Sequence, residues 1–276
     1  MTPGKKGTHA MIPNEEWGLL GKVAIVTGGG AAGDGIGNGR AAAILLARAG
    51  AKVLVVDRDL TLAARTVAMI GDEGGTAAAV SYDVTESRQC AAMVEDALSR
   101  WGRLDCLDNN VGIGSKATVV QETEENWARV MHVNVDTMFL ACKHAIPAMI
   151  RTAGGGSIVN ISSISALRPR GLTAYSVSKG AVIALTKAMA VDHGPQGIRV
   201  NCVFPGPVYT PMVYTKGMTE QARDTRRKAS VLEREGTGWD IGAAVRFLLS
   251  EQARYITGQI LGVDGGATLV GPSRAS

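Results

Sequence analysis

The stretch TGGGAAGDGIGNG at 27–39 decides the fold. An apolar run, KVAIVT at 22–27, leads into it, and an alanine-rich stretch at 40–49 with helical apolar spacing follows, stopped by Gly50. A second apolar run, KVLVVD at 52–57, completes the unit. Glycines reach positive φ and let backbone N–H groups, together with a helix N-terminus, approach a diphosphate. A glycine-rich run alone also reads as a surface loop. The strand–turn–helix setting favours the phosphate reading.

Working outward, the same alternation recurs. Strands are predicted at 76–82, from 104, and at 157–161, 199–204 and 259–263. Helices are predicted at 60–70, 86–101, 127–150, 175–193 and 239–249, with Pro147 marking a late kink or an early end in the fourth helix segment. Strands separated by helices of this length pair in parallel through right-handed crossovers. Strands apolar on both faces belong to a sheet covered on both sides. The expectation is one α/β domain at 21–270: a Rossmann fold, doubly wound, with a seven-stranded parallel sheet and helices on both faces. An N-terminal extension at 1–20 precedes it. Residues 207–235, polar and irregular, form a lid with Met212, Val213, Tyr214 and Met218 as its apolar part.

Composition agrees with an ordinary soluble domain: 276 residues, 46% hydrophobic, 20% charged. The net charge of +4 is dispersed, so no nucleic-acid partner is expected. Arg223, Arg226, Arg227 and Lys228 read as a solvated helix face rather than an anion site. No run of eighteen apolar residues predicts a membrane span. The four cysteines lack metal-ligand spacing, so no metal is expected; they read as reduced thiols and the address as cytoplasmic.

In an open parallel sheet, ligands lie beyond the carboxyl ends of the strands. Asp57 closes the second strand, where a carboxylate accepts from both ribose hydroxyls of NAD and repels the 2′-phosphate of NADP. Arg58 next to it offers the opposite reading. Asp83 and Val84 end the third strand, where they suit an adenine edge or simply a turn. Tyr175 and Lys179 in YSVSK lie four apart, on one helix face. A tyrosine, pKa about 10, becomes a usable base beside an ammonium. Taken alone the pair also reads as an amphipathic surface. Serines at 162 and 163 end the fifth strand, where a hydroxyl can steady a substrate oxygen. Asn134, in HVNVD, is an unfavourable helix-interior residue, as expected of a contact near a site.

Together these pieces resemble the short-chain dehydrogenase/reductase family along nearly the whole chain. The matching motifs are the TG…GIG turn, Asp83-Val84, NNVG at 109–112, Asn134, SIVNISS, YSVSK, PGPVYTP at 205–211 and YITGQILGVDGG at 255–266. The resemblance implies a catalytic set of Asn134, Ser163 (Ser162 as the alternative), Tyr175 and Lys179. It also implies a cofactor groove of Gly28, Gly35, Ile36, Gly37, Asp57, Arg58, Asp83, Val84, Asn110, Gly112, Tyr175, Lys179, Pro205, Gly206, Val208 and Thr210. The implied function is hydride exchange between NAD and a small-molecule secondary alcohol or ketone, in a homotetramer. An NADPH-linked 3-oxoacyl-type reductase, a cis-dihydrodiol dehydrogenase and an idle nucleotide-binding regulator are the alternatives. The first turn is longer than the family's, so its GxG is either Gly35-Ile36-Gly37 or Gly37-Asn38-Gly39. Asp108 stands where the family has an apolar residue.

Overall fold

A computed structural model describes residues 17–215 and 217–269. The elements run β1 (Val23–Thr27), α1 (Asn38–Arg48), β2 (Lys52–Asp57), α2 (Leu60–Asp72), β3 (Thr76–Ser81), α3 (Ser87–Trp101), β4 (Cys106–Asn109), α4 (Glu124–Met131), α5 (Thr137–Ala153), β5 (Gly156–Ile161), α6 (Thr173–His193), β6 (Ile198–Pro205), β7 (Val208–Tyr209), α7 (Pro211–Tyr214), α8 (Glu220–Lys228), β8 (Gly236–Thr237), α9 (Gly238–Leu249) and β9 (Ile260–Val263). Seven strands form one sheet in the order β3-β2-β1-β4-β5-β6-β9, and every pairing is parallel. The order reverses between β1 and β4. That is the switch point at which such sheets open a ligand crevice.

Alternation along the strands builds two cores. Ala24 and Val26 of β1, with Val53 and Val55 of β2, pack under α1, α2 and α9. Val23 and Ile25, with Leu54 and Val56, pack under α3, α5 and α6. One residue of register exchanges these two sets, so burial on both sides fixes the pairing. Leu19 belongs to the first core, so the chain is already packed ahead of β1.

The predicted helix over 127–150 is longer than expected. The structure carries the helical path from Glu124 through Pro147 to Ala153, where Gly154 turns left-handed at φ 73°. Pro147 does not end it. Instead a wide π turn, His132–Asp136, interrupts it, with Asn134 fully buried at its centre. Extra-residue bulges of this kind frequently mark functional sites because they re-aim a side chain.

Candidate active site

The lengthened first turn resolves into a single arrangement. Gly28 is left-handed (φ 63°) at the end of β1. The helix begins after Gly37, whose position carries no side-chain cap, so its first N–H groups face the turn uncapped. A Cβ on Gly39 would overlap the Gly28 carbonyl oxygen, which makes Gly39 the glycine of close helix–turn approach. Gly37-Asn38-Gly39 thus occupies the helix start. Gly35 and Ile36, the other placement, lie ahead of it. Ile36 and Gly37 turn their carbonyls toward Gly238 of α9, and Gly35 lies beneath α7.

The extra residues are held by Arg40, a fully buried arginine. Its Nη1 donates to the carbonyls of Gly33 and Gly35, each at 2.7 Å, and its Nη2 to Ala31 at 2.9 Å. Its Nε donates to Thr66 Oγ1 at 2.9 Å, and Thr66 in turn donates to Gly29 O at 2.8 Å. Beside the turn, Asp57 ends β2 half-buried. Its Oδ2 accepts the Gly30 N–H at 3.1 Å, and its Oδ1 accepts from Asp59. Arg58 is exposed and its charge acts on Asp83. Asp83 Oδ1 accepts from the Thr85 N–H and hydroxyl, which hold its carboxyl below the usual range. Val84 is buried, its carbonyl facing Cys90.

At the end of β4, Asn110 donates its N–H to Thr27 Oγ1 at 3.3 Å and its Nδ2 to Asp108. Asn134 reaches the next segment: its Oδ1 accepts from Ile113 N at 2.7 Å, and its Nδ2 donates to Ile113 O and Ser178 Oγ. Three of its hydrogen-bonding positions are thereby committed to protein, so its side chain pins the chain beyond Gly112 against α6. A Cβ on Gly112 would come within 3.1 Å of Lys179 Nζ and 3.3 Å of Asn134 Oδ1, so a larger residue there would press on both.

Around α6 the two candidate serines have different partners. Ser162 is buried and donates to Lys179 O at 2.7 Å. Ser163 instead lies beside Tyr175, near enough to act on its phenol, and its own Oγ accepts from Ser165 N at 3.1 Å. Burial pushes the Tyr175 phenol up, and Ser163 draws it partly back. Burial also brings the Lys179 ammonium down to about 8. Its Nζ donates to Ile161 O at 2.8 Å and lies 5.9 Å from the centre of the Tyr175 ring. Serine, tyrosine and lysine therefore meet at the carboxyl ends of β5 and β4, across the crevice from the glycine turn.

The segment expected to act as a lid follows β6. Gly206, after β6, donates its N–H to Val263 O, and Pro205, Val208 and Thr210 are buried. Thr210 begins α7. Arg223 and Arg226 of α8 both pair with Glu235, and Arg227 and Lys228 pair with Asp224, which makes the basic cluster an ion-pair surface. Among the described residues no group of three or more His, Cys, Asp or Glu side chains could hold a metal, and no helix is long and apolar enough to cross a membrane.

A family model described as enoyl-(acyl carrier protein) reductase matches residues 30–268. A solved short-chain dehydrogenase/reductase from Burkholderia xenovorans superposes with a TM-score of 0.87 at 39% identity, covering 92% of this chain and 99% of that one. The chain belongs to the short-chain dehydrogenase/reductase family. Its curated relatives in the family include a cyclopentanol dehydrogenase of Comamonas testosteroni, 39% identical over 90% of this chain and 97% of the relative. A 3-oxoacyl-(acyl-carrier-protein) reductase of Thermotoga maritima is 36% identical over 91% of this chain and 99% of the relative. As a short-chain dehydrogenase/reductase the protein is an oxidoreductase that works with a nicotinamide cofactor. Sequence reading missed two residues that hold the glycine turn, Arg40 and Thr66. The only trace of Arg40 is a charge directly ahead of AAAILLA, on a helix that is otherwise apolar there.

Proposed function

We propose that the protein is an NAD-dependent dehydrogenase of secondary alcohols. One observation carries the reading: a half-buried Tyr175 beside Ser163, with the buried Lys179 ammonium 5.9 Å from the centre of its ring. The chain offers a fitting cradle for a dinucleotide. The α1 N-terminus is uncapped, glycines 28, 37 and 39 bring backbone close, and Asp57 closes β2 beside them. When bound, the nicotinamide supplies the hydride acceptor. Ser163 donates a hydrogen bond to the substrate oxygen and orients its hydroxyl. Tyr175 removes the hydroxyl proton. Lys179, held by Ile161 O, favours the phenolate by its charge. Asn134 is a positioning residue, since its amide ties Ile113 to α6.

Asp57 favours NAD because its carboxylate stands where a 2′-phosphate would need a cation. Arg58 and Asp83 then border the adenine end, and Asn110, Gly112, Pro205, Gly206, Val208 and Thr210 the nicotinamide side. A soluble cytoplasmic homotetramer completes the proposal, and light scattering on the purified protein tests the assembly.

Two variants test the chemistry. Tyr175→Phe is expected to lower kcat by at least about a hundredfold, the usual worth of a positioned acid–base, with NAD affinity retained. Turnover at the wild-type rate in that variant would discard the assignment. In calorimetric titration the wild type is expected to prefer NAD over NADP, and Asp57→Ala to lose that preference. A wild-type preference for NADP would transfer the discriminating contact to Arg58.

A further inference from the structure

The lengthened first turn does more than curve around a diphosphate. Residues 31–35 project beyond the helix start, and Arg40 grips them by three carbonyls from below. Arg65 pairs with Asp34 at their outer edge, at 2.7 Å. On their upper side lies the lid. A Cβ on Gly35 would overlap the Tyr214 hydroxyl and come within 2.5 Å of Pro211 Cγ, so α7 rests directly on this glycine. Burial pulls the Arg40 guanidinium below its usual range.

The contact continues outward. The rings of Tyr214 and Tyr209 lie 4.8 Å apart, and Arg223 of α8 stands over Tyr209 at 4.1 Å from its centre. Arg223 and Arg226 converge on Glu235, and Arg226 Nη2 donates to Val208 O at 2.9 Å. A contiguous set of packed groups therefore runs from the far end of the lid to the buried arginine beneath the turn.

We propose that the extra residues of the turn are a landing platform for the lid, with Gly35 receiving Tyr214 and Pro211, so that this contact latches α7 over the dinucleotide groove and sets the rate at which the dinucleotide leaves. Arg40 and Tyr214 are thus positioning residues. This rests on the dinucleotide reading above. A turn free to move could not hold a lid; here the arginine fixes three of its carbonyls in a dry setting, where leaving them unpaired is costly. The lid end of the latch is the labile one, since Tyr214 is only half-buried and α7 has four residues. Lids of this kind frequently limit product release.

The test is NADH dissociation, followed by stopped-flow fluorescence with excess NAD as the displacing nucleotide, in wild type, Gly35→Ala, Tyr214→Ala and the double variant. Gly35 does not have a left-handed φ, so the added methyl adds no left-handed strain; it meets the lid first and the Ala32 carbonyl oxygen at 3.1 Å next, and Tyr214→Ala, which leaves the turn untouched, separates the two. Each single variant is expected to release NADH about three- to tenfold faster, because changes at one contact fall mostly on the dissociation rate. The double variant is expected to be no faster than the faster single, because both break the same contact. Unchanged release in Tyr214→Ala, or rates that multiply in the double, would overturn the latch while leaving the dehydrogenase reading intact. A wild type that binds no NADH would remove both. Thermal melts of the four proteins are run alongside; Tyr214→Ala, a half-exposed lid position, keeps the test open if Gly35→Ala folds poorly.

Discussion

Asp108 is a carboxylic acid in the middle of a sheet. It alternates with Leu107 and shares the face of Cys106, under α1 and α9. Its register neighbours are Val26 and Val159, both fully buried. Among the described residues only the Asn110 side chain reaches its carboxyl, through Oδ2, and Oδ1 is buried without a partner there. Burial raises its pKa to about 7, with the Asn110 hydrogen bond pulling the other way. In the unfolded chain an aspartate titrates near pH 3.9, so between about pH 4 and pH 7 the folded state holds a proton that the unfolded state has lost. Stability therefore falls as pH rises through that window, by on the order of a few kcal/mol, and stays lower above it. Asp108→Asn removes the titrating group. Its melting temperature is expected to exceed that of the wild type at pH 8 and to match or fall below it at pH 4.5. A difference between the two proteins that is the same at both pH values would reject the account.

At the scale of elements, the site depends on how closely α9 and the turn approach α1. Gly238 faces the carbonyls of Ile36 and Gly37, and a Cβ on Gly242 would come within 2.8 Å of the Ala41 carbonyl carbon and the Ala42 nitrogen. Those neighbours are backbone and cannot move aside cheaply. Gly242→Ala is expected to destabilise the fold by about 1–3 kcal/mol, the range for overpacked contacts, and to lower the melting temperature by several degrees. A melt identical to the wild type would mean that the helices separate without cost. The strands and most helices around this packing are legible as apolar runs because burial on both sides demands them. The π turn is not: HVNVD continues the apolar spacing of its helix, and only the polar Asn134 among apolar neighbours hints at the bulge. Nor does the turn's glycine count tell which GxG starts α1. That depends on the contact of Gly39 with Gly28, which exists only once the helix has docked. Arg40 escaped notice for the same reason, since its partners are backbone carbonyls, which leave no trace in residue type. Tyr175 and Lys179 were readable because a fixed spacing on one helix puts them on one face regardless of the rest.

For the whole molecule, the central sheet makes two cores depend on each other, and the cysteines sample both cores and a small third cluster. Cys106 lies in the core under α1 and α9, Cys90 and Cys142 in the one under α3 and α5, and Cys202 against Met138 and Val182. All four are free and buried, and burial raises their pKa values to between about 11 and about 12. The native protein therefore offers neither access nor thiolate, and a thiol reagent is expected to leave it unmodified at neutral pH over the time in which it labels the unfolded chain completely. Strands β1 to β6 contribute side chains to both cores, so neither helical layer can leave without exposing the other's backing. In a urea titration, reagent-accessible thiol is then expected to rise for all four cysteines in one transition, coincident with the loss of far-UV ellipticity, as two-state unfolding requires. Mass spectrometry after quenched labelling assigns each site. Early labelling of Cys90 and Cys142 with Cys106 still protected would mean that the layer of α3, α5 and α6 opens by itself, and that Tyr175 and Lys179 on α6 stand on a less stable part of the molecule than the glycine turn opposite.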